Sequence, residues 1–141
     1  MHANAIVFLV HTGLRCGELQ ALKWSDIDFA NKTVTVSKNL SIIVNRDRKP
    51  GQKHRNAKIK GTKTASGNRI VPLNEKAVHA LRSLQQIYRM LGVRSDSVLV
   101  SRNGKVLSNA QLRCVLDRVL RKANIDKPFT LHQLRHTFAT R

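Results

Sequence analysis

Apolar and polar positions alternate along this chain with two periods, and the period changes mark its elements. Residues 3 to 12, Ala-Asn-Ala-Ile-Val-Phe-Leu-Val-His-Thr, are apolar on nearly every face, which predicts a helix buried in the core, stopped by Gly13. A short second helix is expected through Ala21 and Leu22. Trp24 to Phe29 reads as a turn with two carboxylates, Asp26 and Asp28, whose spacing suits turn chemistry better than a metal site. Thr33-Val34-Thr35-Val36-Ser37 alternates as a strand, with a continuation through a bulge from Leu40 to Val44 as an open expectation. Strand character returns at Ala57 to Lys60; a turn at Ser66-Gly67-Asn68 and a strand from Arg69 to Leu73 then complete an expected hairpin, with Pro72 at a sheet edge.

Helical period resumes over residues 75 to 91, where Val78, Leu81, Leu84, Tyr88 and Leu91 share one face and Gly92 ends the run. Tyr88, on that stripe, reads as a core residue. Ser97 to Ser101 is extended, and Asn103-Gly104 turns. Ser108 caps a helix from Asn109 to about Ala123, with Leu112, Val115, Leu116, Val119 and Leu120 inward and Arg113, Arg118, Arg121 and Lys122 outward. A last helix is expected after Thr130, with Leu131, Leu134 and Phe138 as its buried stripe. The pattern contains no internal repeat or domain boundary, so residues 1–141 read as one domain of mainly helical α+β class with a small antiparallel three-stranded sheet.

Charge changes this picture. Lysine and arginine number 26 against 8 acidic residues, a formal net charge of +18, which repels itself in the compact state until an anion arrives. Nucleic acid is the expected anion. A membrane surface is disfavoured by the lack of a long apolar run or basic amphipathic helix. Residues 45 to 69 alone hold nine basic residues and one Asp; Arg46, Arg48, Lys49, Lys53, Arg55, Lys58, Lys60 and Arg69 are the candidate DNA-binding side chains, with Lys63 near the tip. Cys16 and Cys114 read as buried free thiols of a reducing cytosol, and no Cys/His cluster has zinc spacing.

Two places draw basic residues into ordered structure. Arg15 falls in the break between the first two helices, with Glu18 in the first turn of the second. A charge between apolar helices demands a partner, so Glu18 either locks Arg15 structurally or orients its guanidinium for a ligand, and the second reading is preferred. On the last helix His132 and Arg135 stand one turn apart, with His136 on a neighbouring edge; an Arg beside a His suits a phosphate. His132 and His136 also have the spacing of metal ligands, but no third ligand lies near.

Together these segments resemble the tyrosine recombinases of the phage-integrase family. Thr12-Gly13-Leu14-Arg15-Cys16-Gly17-Glu18-Leu19 resembles the first arginine box, and Leu22-Lys23-Trp24-Ser25-Asp26-Ile27-Asp28 the segment after it. Lys63-Thr64 followed by Arg69-Ile70-Val71-Pro72-Leu73 resembles the hairpin with the family's lysine, and His132-Gln133-Leu134-Arg135-His136 the His-x-x-Arg box. The likeness runs from about residue 3 to the end, and the hairpin resembles forms seen in conjugative-transposon and prophage integrases, which favours an integrase over a chromosome-dimer resolvase.

The resemblance implies a tyrosine-recombinase catalytic-domain fold and site-specific DNA cleavage and rejoining through a phosphotyrosine. Arg15, Arg135 and His132 would hold the scissile phosphate, Lys63 would be the general acid, and Glu18 and His136 would support them, with no metal or other cofactor. It implies a double-stranded DNA recombination site as partner, a tetramer of the parent on DNA, and a cytoplasmic, nucleoid-associated setting with no membrane. The family's nucleophilic tyrosine follows the His-x-x-Arg box, whereas the only tyrosine here is Tyr88. The chain is therefore expected to be a partial catalytic domain, truncated at its C-terminus and without the N-terminal core-binding domain. It is expected to bind DNA without cutting it and to tend to dimerise or swap elements. The alternative is a non-catalytic basic DNA-binding module, in which the two arginines would not meet.

Overall fold

The computed structural model describes residues 2–44, 55–61, 69–126 and 129–139, and of 40–44, 55–61 and 139 the backbone only. The described residues form five α-helices and two small antiparallel sheets. Helix α1 (Ala3–Thr12) is the central element. Its Ala5 and Phe8 are fully buried, and it packs on α3 (Glu75–Leu91), α4 (Asn109–Lys122) and α5 (Leu131–Ala139). Its largely apolar surface suits that position, although Val7 stays exposed to water. The main core joins Phe8 to Leu19 of α2 (Cys16–Ala21), Val34 and Val36, Leu81 of α3, Leu99, and Leu112 of α4. Among the described residues no helix is long and apolar enough to cross a membrane.

Helix ends fall where side chains satisfy free backbone groups. The Asn74 carboxamide accepts from the Ala77 N–H at 2.8 Å, the Ser108 hydroxyl from Gln111 N–H, and the Thr130 hydroxyl from Gln133 N–H, both at 3.2 Å. Gly13 and Gly92 close α1 and α3 in the left-handed conformation, at φ 68° and 69°. The two carboxylates of the early turn act as expected: Asp26 accepts from Lys23 N–H and Asp28 from Asn31.

The strands pair differently from expectation. β1 (Ile27–Asp28), β2 (Thr33–Val36) and β5 (Arg69–Pro72) form the three-stranded sheet in that order, with β5 and its Pro72 at an edge. β3 (Lys38–Val44) pairs instead with β4 (Arg55–Gly61) in a separate two-stranded sheet, Lys38 opposite Gly61 and Val44 opposite Arg55. The expected hairpin of residues 57–60 with 69–73 is thus not formed: each of those segments takes an earlier strand as partner. Nor is 33–44 one strand; it divides at Ser37 between two sheets.

Two side chains also sit differently. Cys114 is exposed, because its place on α4 falls between the inward Leu112 and Leu116. Cys16 is half-buried, which pushes its thiol pKa up to about 11, and its Sγ lies 3.1 Å from Asn109 Oδ1. Phe138 is 40% exposed yet lies over Gly13, where a built Cβ would come within 2.2 Å of its Cδ1. Gly13 therefore meets two demands, a left-handed backbone and the seat of α5 on the end of α1. Gly13→Ala is expected to cost about 2–4 kcal/mol, summing the backbone and overpacking penalties. Urea denaturation measures it, and Phe138→Ala in the same chain should recover part of the loss. A loss of less than about 0.5 kcal/mol, the scale of an ordinary surface change, would remove the seat.

Candidate phosphate-binding site

Arg15 is the residue before the first turn of α2, with extended backbone at φ −70°, ψ 150°. Its backbone N–H donates to Glu18 Oε2 at 2.9 Å, which fixes where the chain enters the helix. The Arg15 side chain is exposed and makes no hydrogen bond among the described residues. The expectation that Arg15 is buried and held through its guanidinium by Glu18 is therefore corrected. Glu18 holds the Arg15 backbone, and extended geometry at that position sends the side chain outward.

The guanidinium that Glu18 does bind is that of Arg69. Nη1 donates to Oε1 at 3.0 Å and Nη2 to Oε2 at 2.9 Å, a two-pronged pair. Arg69 opens β5, so the pair ties the three-stranded sheet to α2. Arg69, a DNA-binding candidate, has its fork committed to a carboxylate that is 3% exposed. Burial pushes the Glu18 pKa up, but the hydrogen bonds from Arg69 and the Arg15 N–H, with the charges of Arg69 and Arg135, outweigh it and hold it below the usual carboxylate value.

Helix α5 brings the second set of groups. Its Leu134 is buried against Ile6 of α1 and Leu116 of α4, which fixes the face that His132 and Arg135 occupy. Arg135 is half-buried, and its Nη1 is shielded from solvent without a hydrogen-bond partner among the described residues. Burial lowers its pKa, and the nearby charge of Arg15 lowers it further. His136 packs edge-on against His132, ring centres 4.6 Å apart.

These groups meet in one cleft of about 810 Å³. Arg15, Cys16 and Gly17 enter from α2, Ser108, Asn109 and Arg113 from the start of α4, and Thr130, His132 and Arg135 from α5, with Asn39 at the rim. Guanidinium groups from separate segments thus line the same space together with a histidine, and the nearby Glu18 carboxylate is already paired with Arg69. Such a cleft is built to take an anion whose oxygens accept several hydrogen bonds at once. Arg113 was read only as part of an outer basic face; the helical period gives no sign that the start of α4 borders a cleft.

Of the other candidates, Arg55, Lys58 and Lys60 lie on β4, opposite Val44, Ser41 and Asn39. Arg46, Arg48, Lys49, Lys53 and Lys63 lie outside the described residues. Among the described residues no group of three or more His, Cys, Asp or Glu could hold a metal ion, so the His132–His136 pair gains no third ligand.

Known proteins share this arrangement of segments. The chain is 28% identical over 141 residues to a tyrosine recombinase XerC-like protein of Caldanaerobacter subterraneus subsp. tengcongensis, covering 92% of this chain and 35% of that one. It is 33% identical to the transposase of transposon Tn916 from Enterococcus faecalis, over 97% of this chain and 34% of that protein. The chain spans about a third of the length of the curated relatives it matches. Among solved structures, the Tn1549 transposon integrase in complex with circular intermediate DNA superposes with a TM-score of 0.76 at 30% identity, over 99% of this chain and 46% of that one. The XerA recombinase does so at 0.69 and 28%, over 97% of this chain and 40% of that one. These likenesses in sequence and fold agree with the match of the phage integrase family to residues 1–141: the chain belongs to that family.

Proposed function

We propose that this chain is the phosphate-gripping part of the catalytic domain of a site-specific recombinase, which cuts and rejoins double-stranded DNA through a phosphotyrosine intermediate to integrate a mobile element. The observation that carries this reading is the meeting of Arg15, His132 and Arg135 in one cleft. Attack at phosphorus builds negative charge on the non-bridging oxygens, and two preorganised guanidinium groups stabilise that charge more than they stabilise the ground state. They supply the electrostatic help that Mg²⁺ supplies in nucleases. His132 adds a hydrogen bond to the phosphate or moves a proton at the nucleophile. Lys63 protonates the departing deoxyribose oxygen. The complexes of the similar Tn1549 integrase with circular intermediate DNA support DNA as the substrate.

The nucleophile, in this reading, comes from outside the 141 residues. Tyr88 is the chain's only tyrosine and is 5% exposed. Its hydroxyl donates to Val98 O at 2.9 Å and accepts from Val100 N–H at 3.3 Å, beside the edge of Trp24 and on the wall of a different part of the core. The chain therefore holds DNA without cleaving it. The same reading places the protein in the cytoplasm at the nucleoid and has it self-associate on DNA, as a tetramer of the parent.

Duplex binding tests the proposal. Affinity is expected to fall steeply with salt: a protein that neutralises about six phosphates loses roughly 10³-fold between about 50 and 200 mM. No covalent complex should form with a nicked recombination site. A covalent link on denaturing gels would refute the account of Tyr88. Binding that is insensitive to salt, or unaffected by loss of Arg15 and Arg135 together, would favour a basic module without a phosphate cleft.

A further inference from the structure

Arg69 and Arg135 bring their charges close to the Glu18 carboxylate, Arg15 brings its charge close to Arg135, and among the described residues only Arg69 bonds to Glu18 through its side chain. A carboxylate offers about four acceptor sites, and Glu18 already gives one to the Arg15 N–H and two to Arg69. Were Arg69 absent, Glu18 would be left nearly buried with most of its acceptor capacity unmet, a costly state that the nearest cation relieves. Arg135 has most to gain, because its Nη1 is shielded and without a partner among the described residues. A guanidinium turned onto Glu18 is no longer available to a phosphate.

We propose that Arg69 is a positioning residue of the cleft: by occupying both oxygens of Glu18 it denies that carboxylate to Arg15 and Arg135, whose guanidinium groups stay open to an anion. Arg69 touches no substrate in this account. It acts through Glu18, and because it opens β5 a few positions after Lys63, it also fixes to α2 the strand that follows the lysine. The inference rests on the phosphate-cleft reading above.

The test uses the 141-residue chain with inorganic phosphate as probe, and the ¹⁵Nε–Hε resonances of Arg15 and Arg135 as a readout that needs no ligand. In Arg69→Gln, one of those two resonances should shift and become protected as its guanidinium turns onto Glu18. Phosphate affinity should fall about tenfold, the scale of one charge-assisted hydrogen bond. In Glu18→Gln/Arg69→Gln, where no carboxylate competes, the resonance should return and affinity should recover to within about threefold. A purely structural ion pair predicts the opposite, since the double variant would bind no better than the single one. Unmoved resonances in Arg69→Gln, or a double variant as weak as the single one, would overturn the proposal. If the unsubstituted chain binds no phosphate, the cleft reading fails by itself, and the resonances alone decide the role of Arg69. Should Arg69→Gln lose its cooperative melt, Arg69→Lys takes its place with the same expected direction, because an ammonium leaves one Glu18 oxygen open.

Discussion

Alanine at Arg135 is expected to slow DNA strand cleavage roughly 10²–10³-fold in the recombinase that carries this segment, while leaving the fold intact or slightly more stable. Arg135 combines two properties that rarely occur together. Its Nη1 is removed from solvent and unpartnered among the described residues, and its charge lies near those of Arg15 and Arg69. In the absence of substrate the side chain is thus a cost: it is partly desolvated and repelled by like charge. Deleting it relieves that repulsion. With a pentavalent phosphorus in the cleft the same features become the asset, because the donors are aimed in advance and surrounding water is reduced. Arg135→Lys should not rescue the rate, since an ammonium cannot span two phosphate oxygens in a plane. Single-turnover cleavage and thermal melting of the same variant provide the two readouts. A variant that cleaves normally but melts early would make Arg135 a packing residue and contradict the assignment.

The second large effect falls on stability. Glu18→Ala is expected to cost about 3 kcal/mol, at the low end for breaking a buried pair because Arg69 remains partly exposed. Three losses coincide: the two-pronged pair that joins β5 to α2, the bond to the Arg15 N–H, and the negative charge that offsets Arg69 and Arg135. The pH dependence follows in sign. The folded-state pKa of Glu18 lies below its unfolded value, so its contribution is fully present above the unfolded pKa of about 4.3 and is lost as pH falls through the lower folded value. Urea denaturation from neutral to acid pH should show the gap between the chain and Glu18→Ala closing in that window. A gap that is small at neutral pH, or unchanged down to acid pH, would mean that the pair contributes little.

The helices were largely legible in the sequence because their signals are local. Gly13, Gly92, Ser108 and Thr130 mark ends through backbone groups a few positions away, and the stripe from Val78 to Tyr88 has a single period. Strand partners were not legible. Residues 33–36, 38–44, 55–61 and 69–72 alternate or are strand-like, but alternation says which face is buried and not which neighbour supplies the hydrogen bonds. The local hairpin reading failed for that reason. Glu18 shows the same limit at the site. Arg15, three positions away, was the obvious partner, yet the position before a helix is extended and points its side chain elsewhere. The actual partner, Arg69, stands 51 positions along the chain, where the sequence shows it only as the end of a basic run. Phe138 was placed on a buried stripe, and only the absence of a side chain at Gly13 explains how it packs while half in water. The boxes, in contrast, were readable as a set, since each carries its charged residues at fixed positions on a short local element.

The central claim is that Arg15 and Arg135 close on one phosphorus. A crystal of this chain grown with orthovanadate tests it most directly. The anion should lie in the cleft between α2 and α5, its oxygens within hydrogen-bond distance of both guanidinium groups and of the His132 ring. Vanadate bound elsewhere, or an empty cleft with Arg15 and Arg135 turned to separate surroundings, would contradict it.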